Sequence, residues 1–115
     1  MQYMILNYVP AAEPYGNAPP EYPSDMEAWS AYTRAMMEAG VMLGGNALKP
    51  GFSGTTVRLR DGRRAVHDGP YAESKEELGG YYIIDVPHLD AALQWAVRNP
   101  AAASGAVEVR PILSV

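Results

Sequence analysis

Apolar residues recur along this chain with two spacings, one typical of strands and one typical of helices. The run Gln2 to Val9 is rich in Ile, Leu, Val and Tyr at both odd and even positions, which predicts a strand buried in the middle of a sheet. Pro10 ends this run. Asn7 is its polar exception, and we interpret it either as a hydrogen-bonded structural amide or as a side chain that faces a site.

Two segments have helical spacing. The first, Ser24 to Ala39, opens with a Ser-x-x-Glu capping box, and Gly40 follows where a left-handed residue usually ends a helix. We assign its apolar stripe to the core; the stripe comprises Trp29, Tyr32, Met36 and Ala39. The second helix is predicted over Pro87 to Asn99, with apolar positions at Leu89, Ala92, Leu93, Ala96 and Val97.

Further apolar or alternating runs predict strands at Val41 to Leu48, Thr55 to Arg60, Arg63 to His67, Tyr81 to Val86 and Ala106 to Val115. Asp61-Gly62 separates two of them and is a strong hairpin signal, because a type I′ turn needs positive φ at both central residues. Pro111 predicts an edge position or a local break in the last strand, since proline cannot donate to a ladder.

Three segments lack either spacing, and we expect them to connect elements. Ala11 to Pro23 contains four prolines, so it is predicted to be a surface loop whose two tyrosines either pin it to the body or cover a pocket. Tyr71 to Leu78 is charged and predicts a loop or a short helical turn, after which Gly79-Gly80 precede a strand. Ala101 to Gly105 is predicted to be a linker of small residues.

The predicted order is strand, helix, strand, hairpin, strand, helix, strand. It indicates a single domain over residues 1–115 with an α+β, ferredoxin-like sandwich: a largely antiparallel sheet, two helices on one face and an inserted β-hairpin. The strand Tyr81 to Val86 is apolar at both parities, so we expect both sheet faces to be covered. A second copy of the chain is the simplest cover for the open face, and we therefore predict a homodimer.

Composition narrows the function classes. The chain of 115 residues contains no cysteine, which excludes disulfides, thiolate nucleophiles and Cys-based metal sites. Its formal net charge of -4 argues against nucleic-acid binding, which needs a basic surface. We expect a cytoplasmic protein with no membrane segment, because no apolar run reaches the roughly 20 residues that span a bilayer. Two histidines predict no metal site, and the absence of a phosphate-binding fingerprint predicts no cofactor.

The pair His67-Asp68 is the most suggestive chemical feature. A carboxylate beside an imidazole can orient it for general acid–base catalysis. Neighbouring strand residues point to opposite faces, however, so the two side chains converge only if the backbone turns at Asp68. The alternative is that Asp68 caps the Gly69-Pro70 turn through its side chain.

Two other groups of charged residues have both a functional and a structural interpretation. Glu73 and Glu77 are four apart, so a helical turn would place both carboxylates on one face, where they could share a proton; otherwise they form a solvated turn. Arg58 shares a strand face with Arg60, and Arg110 joins them if the last strand is near. These arginines either bind a carboxylate or phosphate of a ligand or pair with acidic neighbours, the candidates being Asp85 and Glu108.

The segment Asp68 to Glu76, DGPYAESKE, followed by Gly79-Gly80-Tyr81-Tyr82, resembles the signature of the YCII-related proteins of the DGPF type. Flanking segments agree with this resemblance; they are Gly40 to Gly45, Leu89 to Ala96 and Val107 to Pro111. Tyr71 stands where the family name implies Phe, which keeps the ring and adds a hydroxyl.

This resemblance implies a ferredoxin-like fold within the dimeric α+β barrel group, in bacterial cytoplasmic proteins. Relatives in that group include a dehydrochlorinase of aromatic degradation and muconolactone isomerase-like proteins, and some DGPF-type members resemble partners of extracytoplasmic-function sigma factors by genomic association. In the wider group, a His on the first helix and an Asp after the second strand are the proposed active pair. The first helix here has no His, so only Asp68 carries over.

We therefore expect a small-molecule enzyme of the isomerase or lyase type that uses Asp68 as acid or base. His67 would assist it, and the expected substrate-binding residues are Tyr71, Arg58, Glu73 and Tyr81. The alternative is a non-catalytic ligand-binding or regulatory module associated with sigma-factor transcription control.

Overall fold

The computed structural model describes residues 1–12 and 26–114. In these ranges the strands are β1 (Gln2–Pro10), β2 (Met42–Ala47), β3 (Thr55–Arg60), β4 (Arg63–Asp68), β5 (Glu76–Asp85) and β6 (Ala106–Pro111). The α-helices are α1 (Met26–Glu38), α2 (Leu89–Arg98) and α3 (Ala101–Ser104), and a short 3-10 helix covers Gly51–Ser53. The predicted capping box and most of the proline-rich segment lie outside the described residues.

Four strands form one antiparallel sheet in the order β2-β5-β1-β6. Ile5 of β1 lies opposite Tyr82 of β5 on one side and opposite Val109 of β6 on the other. The central position predicted for the first strand is thus confirmed, as is the edge position of the strand that contains Pro111. Because the side-chain period of a strand is two, this register decides which residues face the helices.

The inserted hairpin, β3 and β4, forms a separate two-stranded sheet. Asp61 and Gly62 connect its strands with φ values of 51° and 74°. Both values are positive, as a type I′ turn requires, so the Asp-Gly hairpin signal is confirmed.

Both longer helices pack against the same face of the four-stranded sheet. Tyr3 and Ile5 of β1 share that face with Ile84 of β5, and they form one buried cluster whose helical members are Tyr32, Met36 and Ala92. The ferredoxin-like α+β sandwich is confirmed. The assignment of Ala39 to the core is wrong, because α1 ends at Glu38 and Ala39 is exposed. Gly40 then turns the chain at a φ of 72°.

The segment predicted as a loop up to Leu78 is wrong at its end, since β5 begins at Glu76. Glu76 and Glu77 pair with Pro10 and Val9 of β1, so the ladder extends well before the apolar part of the strand. Gly79 and Gly80 are therefore inside β5. A Cβ at Gly80 would lie 2.9 Å from the carbonyl oxygen of Asn46, so glycine permits close approach of β2 there.

The predicted small-residue linker is also wrong, because Ala101–Ser104 forms α3. Alanine is the best helix former, and Pro100 is suited to the start of a helix. The buried Ala101 fixes this turn against the body of the protein.

The opposite face of the sheet has no helix over it in the described part of the chain. Alternation places Met4 and Leu6 of β1 on this face beside Tyr81 and Ile83 of β5. No helix within the described ranges is long and apolar enough to cross a membrane. The sheet thus has one face packed by helices and a second face, apolar at its centre, that no helix of the described ranges covers.

Candidate functional site

A cleft of about 610 Å³ lies between α1 and the helix-covered face of the sheet. Its apolar lining includes Val9, Met26, Trp29, Met37, Met42 and Ala47. Its polar lining includes Asn7, Ser30, Thr33, Arg34 and Tyr82. This volume and this mixture, mainly apolar with a few polar groups, are typical of small-molecule sites.

A chain of hydrogen bonds fixes the orientation of Asn7 at the base of this cleft. Its Oδ1 accepts a hydrogen bond from Asn99 Nδ2 at 2.7 Å, and Asn99 Oδ1 accepts from the backbone N–H of Ala101 at 2.8 Å. Only an oxygen can accept from a backbone N–H, so the amide of Asn99 has one possible orientation. Asn99 therefore donates a hydrogen bond through its NH₂ group, and the Asn7 atom that accepts this bond is its side-chain oxygen.

The other end of the Asn7 amide is directed at the cleft. Asn7 is 5% exposed, and its Nδ2 makes no hydrogen bond with the described residues. In the described part of the chain, every fully buried side-chain nitrogen or oxygen has a hydrogen-bond partner. Because Nδ2 of Asn7 has none, it is not fully buried, and it is accessible from the cleft that Asn7 lines. Both interpretations of Asn7 apply: it is a bonded structural amide, and it faces a site.

A pair of hydroxyls forms a second polar point in the cleft. Thr33 Oγ1 on α1 and Tyr82 Oη on β5 are 2.8 Å apart. The Tyr82 ring has room because Gly45 of β2 lacks a side chain; a Cβ there would lie 2.9 Å from the ring. Burial raises the pKa of Tyr82, although the Thr33 hydrogen bond opposes the shift. Its phenol therefore keeps its proton at neutral pH.

Tyr32, behind the cleft, predicts how stability depends on alkaline pH. Its hydroxyl donates to the Trp95 carbonyl at 2.9 Å, and burial raises its pKa from 10.0 to about 12, against an opposing hydrogen bond from Asn99. A raised folded pKa means that the contribution to stability is complete below about pH 10 and is lost as the pH rises towards about 12.

We expect the free energy of unfolding, measured in denaturant across this range, to fall with pH. Tyr32→Phe should make the fall shallower, because it removes the phenol whose pKa is raised by burial. Equal slopes in the wild type and Tyr32→Phe would contradict this assignment.

His67 and Asp68 of the predicted site lie on β4, and their side chains leave opposite faces of the hairpin. His67 pairs with Thr56 and Asp68 pairs with Thr55, in regular register. The backbone turns only after Asp68, at Gly69, whose φ is 104°. Both side chains are exposed, and the structure does not bring them together.

Of the predicted substrate-binding residues, the structure brings Arg58 and Tyr71 together. The Arg58 guanidinium lies 5.5 Å from the centre of the Tyr71 ring, a cation–π distance. Glu73 is exposed, and the Tyr81 hydroxyl accepts a hydrogen bond from Asn46 Nδ2 at 2.9 Å. None of these four residues is among those that line the described cleft, and neither is His67 or Asp68. Their functional roles stay predictions.

Two further charged candidates, Arg110 and Glu77, have structural partners. Arg110 Nε donates to Glu108 at 2.7 Å within β6, so the acidic-neighbour interpretation holds for this arginine. Glu77 and Glu73 do not share a helical turn; the Glu77 carboxylate accepts from the Gly51 N–H at 2.8 Å and ties the 3-10 helix to β5. In the described residues, no three His, Cys, Asp or Glu side chains are grouped so that they could hold a metal ion.

Sequence inspection missed Thr33, Tyr82 and Asn99 as parts of a site. Thr33 and Tyr82 are separated by 49 positions and Asn7 and Asn99 by 92, so only the fold brings them together. Asn7 alone carried a local signal, because a polar residue inside a buried strand is unusual.

Comparisons with known proteins agree with this architecture. The YCII-related domain family matches residues 1–115. An uncharacterised protein of Rhizobium meliloti (strain 1021) is 40% identical over 89 residues, which cover 76% of this chain and 72% of that protein.

Among solved structures, this chain is similar to the 5-chloro-2-hydroxyhydroquinone dehydrochlorinase of Burkholderia phenoliruptrix AC1100, solved in complex with 2,5-dihydroxybenzoquinone. The TM-score is 0.52 at 12% identity, over 98% of this chain and 94% of that one. At this identity the likeness concerns the fold. Together with the match along the whole sequence, these findings show that the chain belongs to the YCII-related family.

Proposed function

We propose that this protein is a small-molecule enzyme of the isomerase or lyase type that binds its substrate in the cleft between α1 and the sheet. The observation that carries the proposal is the cleft itself: about 610 Å³, mainly apolar, with the buried amide of Asn7 directed into it. A protein of the same fold, the dehydrochlorinase, is an enzyme that was solved with a small ring compound. Such chemistry needs proton transfer rather than a redox cofactor.

We keep Asp68 as the proposed acid or base, with His67 as its helper. Asp68 lies outside the cleft of its own chain, so the proposal requires it to reach the substrate from the hairpin, in the same or a second copy. Within the cleft, the neutral phenol of Tyr82 is a proton donor that can polarise a bound oxygen.

We also propose that the protein is a homodimer. Its open sheet face carries the half-buried Met4, Tyr81 and Ile83, and the hairpin exposes Val57 and Leu59 at 60% and 66%. Apolar surface of this kind without an internal partner is typical of an interface. A two-fold axis would let two identical open faces cover each other.

A non-catalytic ligand-binding or regulatory module is the second candidate. The observation that favours it is the divergence of His67 and Asp68 on the hairpin, since an acid–base pair needs hydrogen-bond contact or a shared substrate. This candidate predicts binding in the cleft without conversion of the bound compound.

The test is a screen of hydroxylated aromatic compounds for both binding and conversion, followed by NMR. Asp68→Asn is expected to lower the rate of conversion about 100-fold or more, with binding in the cleft unchanged, because general acid–base catalysis contributes at least this factor. Asp61→Asn, the same change at the hairpin turn, is the matched control and should convert at the wild-type rate.

Three other results are informative. Wild-type conversion by Asp68→Asn would show that Asp68 is not the acid or base. Binding in the cleft with no conversion across the screen would favour the regulatory module. Binding that never perturbs cleft residues such as Trp29 would contradict the proposed site.

A further inference from the structure

We infer that the cleft selects ligands that present a hydrogen-bond acceptor, a carbonyl oxygen on an apolar ring compound, to Nδ2 of Asn7. Asn7 is then the residue that determines specificity. This inference rests on the proposed function, because it concerns the same cleft, and it adds the chemical class of the ligand and the atom that recognises it.

The first step is that Asn7 cannot exchange the ends of its amide. Turning it over would place its NH₂ against the NH₂ of Asn99, so that two donors would face each other. Asn99 cannot turn to relieve this clash, because its oxygen is held by the Ala101 N–H. Asn7 is therefore a fixed donor toward the cleft, and it offers no acceptor there.

The second step is that the site is prepared but incomplete. Only 5% of the Asn7 surface is exposed, and its Nδ2 opens onto the cleft without a partner among the described residues. Water in the cleft can bond this nitrogen, and a ligand acceptor that replaces loosely held water gains that bond. The hydroxyls of Thr33 and Tyr82 can supply a second donor. Together they carry two protons, and the hydrogen bond between them uses one, so the other can be donated to a ligand.

The third step is the charge of the lining. Acidic residues outnumber basic ones by 13 to 9 in the whole chain. None of the described residues that line the cleft is acidic, however, while Arg34 lies among them. A lining with donors and one cation but no carboxylate favours ligands rich in acceptors and disfavours ammonium or other donor groups.

The experiment compares two probes of nearly the same shape, acetophenone and ethylbenzene, which differ in the carbonyl oxygen. Dissociation constants are measured by NMR titration for the wild type, Asn7→Asp and Asn46→Asp, at about pH 8 so that an introduced aspartate is ionised. Asn7→Asp keeps an oxygen to accept from Asn99, so the structural bond survives while the atom facing the cleft changes from donor to acceptor. Asn46→Asp is the control: the Asn46 amide bonds the Tyr81 hydroxyl on the open face of the sheet, so the same change is made on a side chain that points away from the cleft.

We expect the preference for acetophenone over ethylbenzene to fall about tenfold in Asn7→Asp and to stay within about twofold in Asn46→Asp, because one hydrogen bond is at stake. In the wild type, the Asn7 side-chain amide protons should lie further downfield with acetophenone than with ethylbenzene, because both probes carry the same ring and only acetophenone accepts a hydrogen bond. This second readout does not depend on the folding of a variant.

Two results overturn the inference, and they are distinguishable. If both probes shift Trp29 but the preference is the same in the wild type and Asn7→Asp, the acceptor rule fails while the cleft stands as a binding site. If neither probe shifts Trp29, the acceptor rule and the proposed cleft fail together.

Discussion

Replacing Asn99 by leucine is expected to lower the free energy of unfolding by about 2–5 kcal/mol. Asn99 is 2% exposed, donates to Asn7 Oδ1 and accepts from the Ala101 N–H. Leucine has a similar volume but leaves both groups without a partner. Ala101 is itself 1% exposed, so water cannot easily accept the hydrogen bond from its N–H in place of Asn99. Each buried polar group left without a hydrogen bond lowers the free energy of unfolding by roughly 1–3 kcal/mol. Urea denaturation measures the loss.

The same substitution should also weaken ligand selection. Without Asn99, the Asn7 amide is free to turn, and the preference for a carbonyl probe should decline even in molecules that remain folded. Asn46→Leu is the control: its amide is on an exposed residue, it bonds the Tyr81 hydroxyl, and its loss should cost no more than about 1 kcal/mol. Equal destabilisation at the two positions would contradict a special role for the buried pair.

Local patterns account for most of the fold. Strand Gln2–Pro10, helix Leu89–Arg98 and the Asp61-Gly62 hairpin all follow from spacing and turn chemistry within a few residues. The start of β5 does not, because Glu76 and Glu77 become strand residues only through pairing with β1, which is distant in sequence. Strand formation depends on such partners more than on intrinsic propensity.

The candidate site was much less accessible from the sequence. Ionisable residues are densest from His67 to Glu77, and that density drew the prediction to the hairpin. The cleft is instead built from residues that are ordinary in their local context, such as Thr33 on a helix and Tyr82 on an apolar strand. Their chemical potential comes from burial and from partners far along the chain, and neither is visible in a short window.

An arginine in place of Ile83 is expected to convert the proposed homodimer into monomers. Ile83 lies opposite Met4 on β1 and opposite Gly44 on β2, in the middle of the open sheet face. In a two-fold interface each copy would contribute one guanidinium to the apolar centre of the face, and both cations would lose water there. An unpaired buried charge costs about 3–5 kcal/mol, which corresponds to a dissociation constant at least 100-fold weaker.

Light scattering on an eluting sample measures the outcome as a mass that changes from about twice 12.5 kDa to 12.5 kDa. Val97→Arg is the matched control, because Val97 is 77% exposed on α2, away from the open face, and the same new charge stays in water there. That variant should keep the dimer mass. A wild-type mass of 12.5 kDa would contradict the homodimer itself. A dimeric Ile83→Arg variant would instead show that the subunits meet through another surface, and the exposed apolar side of the hairpin would be the next candidate.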